Sequence, residues 1–309
     1  MTSNAPDFTA LAAANGIELD REEALVNTGG ADADWFSVAA TDKAGRHWIL
    51  QAPRRGDVLI SARYEAQVLA FVKGKAGVSV PEWKVNTDKL IAYPMLPGQP
   101  VAESDPLMGD FIWRIPSNNG VFLNSLAIAL VQLHDIEPKD AAAAGLRVAD
   151  AGQARQLIRT QMDDAKALSP VPDVLWKLWE RWLYDDSFWP QTTGLINGDL
   201  YPQHLLVRAD NELVGIEDWA DAEVGDIARD FTPIFSALGR EAMEDLMLRY
   251  ARAGGNGWPR MADHAEMYYW AGPLRYAAYA MRTGVLSDLM GVKAIMHRYA
   301  SMLEDSGLS

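Results

Sequence analysis

The chain contains no cysteine among its 309 residues. Disulfides and thiolate metal sites are therefore excluded, and a reducing compartment is compatible. Long apolar runs are missing too. The longest apolar tract, 121–133, is interrupted by Asn124, Ser125 and Gln132, so it is too polar and too short to span a bilayer. The first residues show no basic stretch leading into an apolar one, so no secretory signal is expected and the expected location is the cytoplasm. Basic charge is scarce: 28 Lys and Arg stand against 42 Asp and Glu, a net charge of −14. A nucleic-acid surface needs clustered cations that release counterions, so neither nucleic acid nor membrane is an expected partner. A cationic small molecule suits a negative cleft, although acidic surfaces also serve solubility alone. Internal repeats, low-complexity tracts and a Gly-x-Gly-x-x-Gly phosphate loop are likewise lacking.

What is present is the composition of a soluble globular protein, 49% hydrophobic and 23% charged. The length suits two lobes better than one minimal core. Apolar-rich runs at 35–40 and 46–52 flank Thr41-Asp-Lys-Ala-Gly45, a good hairpin turn. Helical spacing of Tyr64, Val68, Leu69 and Val72 predicts a helix over 61–73. Short strands are predicted at 80–85 and 89–93. The proline-rich stretch Pro94-Met-Leu-Pro-Gly-Gln-Pro100 then breaks the pattern, because proline removes a donor and restricts its predecessor. A lobe boundary is expected there, dividing the chain into 1–95 and 96–309. Beyond it helices dominate, predicted at 121–134, 151–168, 174–184, 240–253 and 262–281. One β island, 205–207 and 213–216, interrupts them.

That island follows Asn197-Gly-Asp-Leu-Tyr-Pro-Gln-His204 and precedes Gly215-Ile-Glu-Asp-Trp219. A hairpin folds the two segments together and brings Asp199, His204 and Asp218 near one another. Asp199 can accept a hydroxyl proton; an imidazole and a second carboxylate can share a divalent cation. Phosphoryl transfer from a nucleotide needs mainly such positioning and charge neutralisation. Singly, Asp199 also reads as a turn residue, Asp218 as a buried anchor and His204 as a structural hydrogen-bonder. The three together point to phosphoryl transfer.

From Asn197 onward the chain resembles the catalytic loop of the aminoglycoside phosphotransferase (antibiotic kinase) family, and within it the macrolide 2′-phosphotransferases most. Their loop reads His-Gly-Asp-Leu-(His/Tyr)-x-x-His, with histidine where most relatives carry asparagine; here Gly198-Asp-Leu-Tyr-Pro-Gln-His204 keeps that choice. The resemblance extends through 48–55, 64–69, 91–96, Leu133-His134 and the C-terminal aromatic helices. It implies an α+β, bilobal protein-kinase-like fold with a small β-rich N-lobe for nucleotide and a larger, mainly helical C-lobe. It also implies transfer of the γ-phosphate of GTP, or ATP, with Mg²⁺, to the 2′-hydroxyl of a macrolide, giving antibiotic resistance.

By the same resemblance Asp199 is the base, and His204 and Asp218 hold the metal. Glu65 positions the phosphate-binding cation, while Tyr93, Met95 and Leu96 lie in the hinge that meets the purine. Asp230 braces the catalytic loop, although Asp226 and Asp230 also read as helix N-terminal charges. Gly29 and Gly30 stand in the nucleotide loop. Trp270, Leu274, Tyr276 and Tyr279 line an apolar pocket or, by the plainer reading, pack in the core. Two positions depart from the pattern. Gln51 replaces the Lys or Arg expected on the nucleotide phosphates, so charge is lost unless Arg54 or Arg55 substitutes or the strand register differs. Asn197 replaces the histidine that opens the loop, where a structural effect is expected. An aminoglycoside or other hydroxylated metabolite as acceptor, and a nucleotide-binding module with weak catalysis, are the alternatives.

Overall fold

The computed structural model describes residues 5–24, 34–104 and 111–307; the segment carrying Gly29 and Gly30 lies outside them. The chain starts with α1 (Phe8–Ala14), whose first turn is capped by the Asp7 carboxylate accepting from the Ala10 amide at 2.9 Å. Strands β1 (Leu19–Ala24), β2 (Trp35–Asp42) and β3 (His47–Pro53) follow, then α2 (Val58–Val72), β4 (Val85–Asn86) and β5 (Ile91–Pro94). They form one antiparallel sheet in the order β1-β2-β3-β5-β4. Strand alternation explains its two faces. Trp48, Leu50 and Ala52 point to a small core with Phe8, Ala12 and Val38. Ile49, on the opposite face, packs with Ala62 of α2 and with Ile91 and Tyr93.

The β2–β3 turn is fastened by one side chain. The buried Asp42 carboxylate accepts from the Ala44 and Arg46 amides (2.9 Å each), Arg46 Nε (2.7 Å) and the Trp48 indole (2.9 Å). Gly45 supplies the left-handed φ of 79° that closes the turn. The strand predicted at 80–85 shrinks to two residues, because Pro81 cannot donate to a ladder. Instead Ser79 bridges to Gly215, its amide donating to the Val214 carbonyl at 2.8 Å, and so ties this region to the rest of the chain.

The remaining residues build the helical lobe. In order they are β6 (Gln99–Pro100), β7 (Ala102–Ser104), β8 (Phe111–Trp113), α3 (Gly120–His134), α4 (Pro138–Ala143), α5 (Ala151–Leu168) and α6 (Asp173–Tyr184). Next come β9 (Gly194–Ile196), β10 (Leu205–Val207), β11 (Leu213–Ile216) and β12 (Glu223–Gly225). The chain finishes with α7 (Thr232–Arg252), α8 (Met261–Trp270), α9 (Gly272–Thr283) and α10 (Leu286–Ser306). Helix α3 contributes Phe122, Leu123, Leu126, Leu130 and Leu133 to the main core, which also holds Trp179, Trp182 and Trp219. Val68, Leu69 and Val72 from α2 join the same core. The architecture is the kinase-like α+β arrangement that the sequence suggested. The helix predicted over 262–281 is two helices, because Gly272-Pro273 interrupts the hydrogen-bond ladder. The helix expected from 240 is the second part of α7, which starts after the non-helical Gly239 (φ 82°); the turns from Thr232 to Leu238 before that break were not expected. Helices α1, α4 and α10 and strands β1, β6, β7, β8, β9 and β12 had not been anticipated, so the helical part carries more than the one expected β island.

Burial opposes ionisation of Asp42, but the Trp48 indole and the Arg46 and Ala44 groups outweigh it and hold the carboxyl down at about 2. An aspartate lowered in this way stabilises the fold above its unfolded pKa of about 4, and that contribution fades as pH falls toward 2. Asp42→Asn is therefore expected to lower the thermal midpoint near pH 7, the deficit narrowing below pH about 4. A deficit independent of pH would mean that the charge is not what fastens the turn.

Candidate active site

Two antiparallel pairs carry the site. Strand β9 pairs with β12 and leads into residues 197–204; β10 pairs with β11, which delivers residues 217–219 beside them. Gly198 makes the crossing possible: its φ is 84°, and a Cβ there would stand 2.8 Å from the Asp221 carbonyl oxygen. The fully buried Asn197 ties the two segments together. Its side-chain nitrogen donates to the Asp218 carbonyl at 2.8 Å, and its side-chain oxygen accepts from the Asp199 amide at 3.0 Å. The departure at residue 197 thus supplies a cross-loop clamp. Beneath it, Asp230 accepts from the Asn197 amide (3.1 Å) and the Gly198 amide (2.7 Å), and pairs with His134 Nε2 at 3.1 Å. His134 Nδ1 meets the Tyr250 hydroxyl at 3.0 Å, so the network assigns the ring proton to Nε2. Asp226 belongs to a separate buried cluster, in which His264 Nε2 (2.5 Å) and the Tyr268 hydroxyl (3.0 Å) share one of its oxygens.

Asp199, His204 and Asp218 each present one donor atom, and all three atoms lie within 4.8 Å of one another. His204 Nδ1 is committed to the Asp199 carbonyl oxygen at 2.9 Å, which leaves the Nε2 lone pair facing Asp218 Oδ2 at 4.0 Å. That gap is too long for a hydrogen bond. It leaves room for one small cation between the two groups. An imidazole nitrogen and a carboxylate oxygen are donors that a divalent cation could share. Asp218 also holds a left-handed φ of 54°, a conformation that Asp tolerates better than most non-glycine residues.

The electrostatics are those of a cation-hungry site. Burial pushes Asp199 up to about 6, with Asp218 and Asp221 adding to the effect and His204 and Arg275 opposing it. Burial pulls His204 down, but the Asp218 and Asp199 carboxylates outweigh it and leave the ring above its ordinary value. Glu65 on α2 accepts from the Trp219 amide at 3.1 Å, so it holds the segment carrying Asp218. Burial first, then the Asp218 charge, raises Glu65 to about 8.

The register of β3 pairs Gln51 with Ser37 and Ile91, and the Gln51 amide reaches Ser37 Oγ at 3.5 Å. Arg54 donates to the Trp35 carbonyl and stacks on Phe36, while Arg55 is held by Asp34 (2.6 Å) and Asp57 (3.1 Å). Along the expected hinge, Tyr93 is buried and Met95 is exposed, with the Met95 amide donating to the His47 carbonyl at 2.9 Å. Leu96 lies beside Gly215.

Next to the catalytic loop a cavity of about 710 Å³ opens, walled by Tyr201, Tyr268, Arg275, Tyr276, Tyr279 and Tyr299. Two expected pocket residues are elsewhere. Trp270 and Leu274 are buried in the main core, away from the cavity wall. The helical repeat explains the split: Gly272, Arg275, Tyr276 and Tyr279 share one face of α9, and Leu274 and Ala277 share the other. Tyr201, Tyr268, Arg275 and Tyr299 had not been selected from sequence. Only Tyr201 gave a usable signal, two residues after Asp199.

Residues 23–264 match the phosphotransferase enzyme family. The chain belongs to that family. It is 34% identical over 281 residues to the uncharacterized protein YcbJ of Bacillus subtilis (strain 168), covering 90% of both chains. Among solved structures, this phosphotransferase is similar to macrolide 2′-phosphotransferase type I at 34% identity and TM-score 0.84, covering 94% of this chain and 95% of that one. It is similar to the apoenzyme of macrolide 2′-phosphotransferase MphH from Brachybacterium faecium at 33% identity and TM-score 0.84, over 94% and 97%. The GDP and kanamycin complex of APH(2″)-IIIa, 18% identical at TM-score 0.71 over 95% and 98%, shares the fold.

The buried Glu65 gives a stability test of this phosphotransferase. A carboxyl raised to about 8 keeps its proton in the folded state after the unfolded chain, near 4.3, has lost it, so stability falls as pH rises between those values. Glu65→Gln keeps an acceptor for the Trp219 amide and removes the titration. Its melting temperature relative to wild type is expected to improve steadily from pH about 4.5 to about 8. A difference that stays flat or shrinks over that range would show that Glu65 is ionised in the fold.

Proposed function

We propose that this phosphotransferase moves the γ-phosphoryl group of GTP, or ATP, to the 2′-hydroxyl of a macrolide's amino sugar, and so confers resistance from within the cytoplasm. The observation that carries the reading is the Asp199, His204 and Asp218 cluster beside a tyrosine-walled cavity. The likeness of the whole chain to two macrolide 2′-phosphotransferases supports it.

Asp199 accepts the acceptor hydroxyl's proton as the oxygen attacks phosphorus, and its raised pKa of about 6 still leaves it ionised near neutrality. His204 and Asp218 would hold Mg²⁺, which would supply neutralisation of the nucleotide's phosphate charge. Asn197 and Asp230 keep these groups in register. The 1–95 segment takes the nucleotide, with the hinge at 93–96 along its edge; residues 96–309 carry the catalytic loop and acceptor pocket.

Of the three acids that line the cavity, Asp221 is the one without a side-chain partner among the described residues. Glu223 is engaged by Arg229 and Asp226 by His264 and Tyr268, which leaves few free carboxylates, whereas tyrosine faces suit a bulky, mostly apolar ring.

The test offers erythromycin, azithromycin and kanamycin to the purified protein with Mg²⁺ and GTP or ATP. A gain of about 80 Da on the macrolides, one phosphate by this scheme, is expected. Turnover should fall on the acid side with a midpoint near about 6 and collapse in Asp199→Asn with nucleotide affinity retained. Product from kanamycin alone would transfer the reading to aminoglycosides. Nucleotide binding without product from any acceptor would make the protein a binding module.

A further inference from the structure

A phosphoryl group in flight spreads negative charge over its equatorial oxygens, and kinase-like sites meet that charge with cations. Here the strand position expected to hold one is the neutral Gln51. The other arginines near the cleft are already engaged, apart from Arg282, which lies over the Tyr279 ring further along α9 and is not paired with Asp199 among the described residues. Arg147 donates to the Ala220 carbonyl at 2.9 Å and lies over the Tyr64 ring. Arg229 is bonded to Glu223, and Arg55 to Asp34 and Asp57.

Arg275 differs from all of these. It stands on the cavity face of α9, and among the described residues it makes no hydrogen bond. Its one ion-pair partner there is Asp199: Nη2 lies 3.9 Å from Asp199 Oδ1, with the arginine side chain 44% exposed and the aspartate 20%. An acceptor hydroxyl poised for attack must sit about 2.6–3.2 Å from the Asp199 carboxylate. The phosphorus bonds to that same oxygen. Its equatorial oxygens therefore come within the sweep of a guanidinium that is already beside the base and has all five N–H donors to give.

We propose that Arg275 is a catalytic residue that contacts the transferring phosphoryl group and supplies the positive charge that Gln51 does not. In the step, the acceptor O–H proton passes to Asp199, a new O–P bond forms, and the bridging O–P bond to the nucleoside diphosphate breaks. Arg275 changes no bonds; it holds the equatorial oxygens through charge-assisted hydrogen bonds. The inference rests on phosphoryl transfer at this site, and the identity of the acceptor does not enter it.

The test compares wild type with Arg275→Ala and Arg275→Lys in three readouts. These are affinity for Mg²⁺ and GDP alone, affinity for Mg²⁺, GDP and aluminium fluoride as a transition-state mimic, and pH profiles of both macrolide phosphorylation and GTP hydrolysis to water. The alanine variant is expected to keep GDP affinity within about twofold but lose about 100-fold or more in kcat and in fluoride-complex affinity. Lysine should retain part of both, and added guanidinium should restore part of the alanine variant's rate. Three results would overturn the proposal: unchanged kcat, a loss confined to KM, or a deficit that vanishes at high pH. The last would mean that Arg275 serves only to keep Asp199 ionised. Wild type that binds the fluoride complex and hydrolyses GTP, yet phosphorylates no macrolide, would refute the acceptor assignment while hydrolysis still tests Arg275. Wild type with no nucleotide affinity would overturn both.

Discussion

The Asp230 carboxylate lies buried beneath the catalytic loop and accepts from the amides of Asn197 and Gly198 and from the His134 ring. A buried polar group is tolerated only when its hydrogen bonds are made, and leaving one unsatisfied costs about 1–3 kcal/mol. The loop is therefore held to the one path that keeps all three donors on Asp230. From that path the rest of the site follows. Asn197, fixed at its backbone, reaches the Asp218 carbonyl and the Asp199 amide with its side chain. Gly198 lets the two segments pass at van der Waals distance. His204 is then turned by the Asp199 carbonyl so that Nε2 faces Asp218. A scaffold of neutral and buried groups thus sets the positions of three reactive ones.

The same arrangement gathers negative charge. Asp199, Glu65 and Glu217 are all raised, first by burial and then, to differing degrees, by the carboxylates around them. Repulsion of this kind is a cost to the empty fold and an attraction for cations. A divalent ion held by His204 and Asp218 would offset the carboxylates, and a bound nucleotide would bring phosphate charge for it to neutralise. The neutral Gln51 makes that balance depend more on metal and on the acceptor side of the cleft. Arg275, reaching Asp199 from α9, stands on that side.

Local sequence carried most of what was legible. Residues 197–204 and 215–219 hold their chemistry in short stretches, and a two-strand hairpin is enough to bring them together, so the Asp199, His204 and Asp218 cluster could be anticipated. The β2–β3 hairpin and the helices at 121–134 and 151–168 were likewise marked by turn residues and apolar spacing. Contacts between distant elements were not legible. Nothing in the spacing of α9 distinguishes Leu274, which faces the core, from Tyr276, which faces the cavity, until the helix break at Gly272-Pro273 sets the phase. Arg275 reads as an ordinary surface arginine until α9 is docked against the catalytic loop. Glu65 was expected to hold a cation; without one at residue 51, it holds the Trp219 amide. Helix α10 buries Val292, Met296, Ala300 and Leu303 at helical spacing, a pattern present in the sequence that went unassigned.

The central claim is that His204 Nε2 and Asp218 share one divalent ion in the nucleotide complex. Pulsed electron paramagnetic resonance of the protein with Mn²⁺ and GDP measures this directly, because a coordinated imidazole nitrogen couples to the manganese spin. The account predicts a nitrogen hyperfine coupling that is present in wild type and abolished in His204→Asn, whose amide oxygen can take the same position. A nucleotide-bound manganese spectrum with no nitrogen coupling in wild type would contradict it.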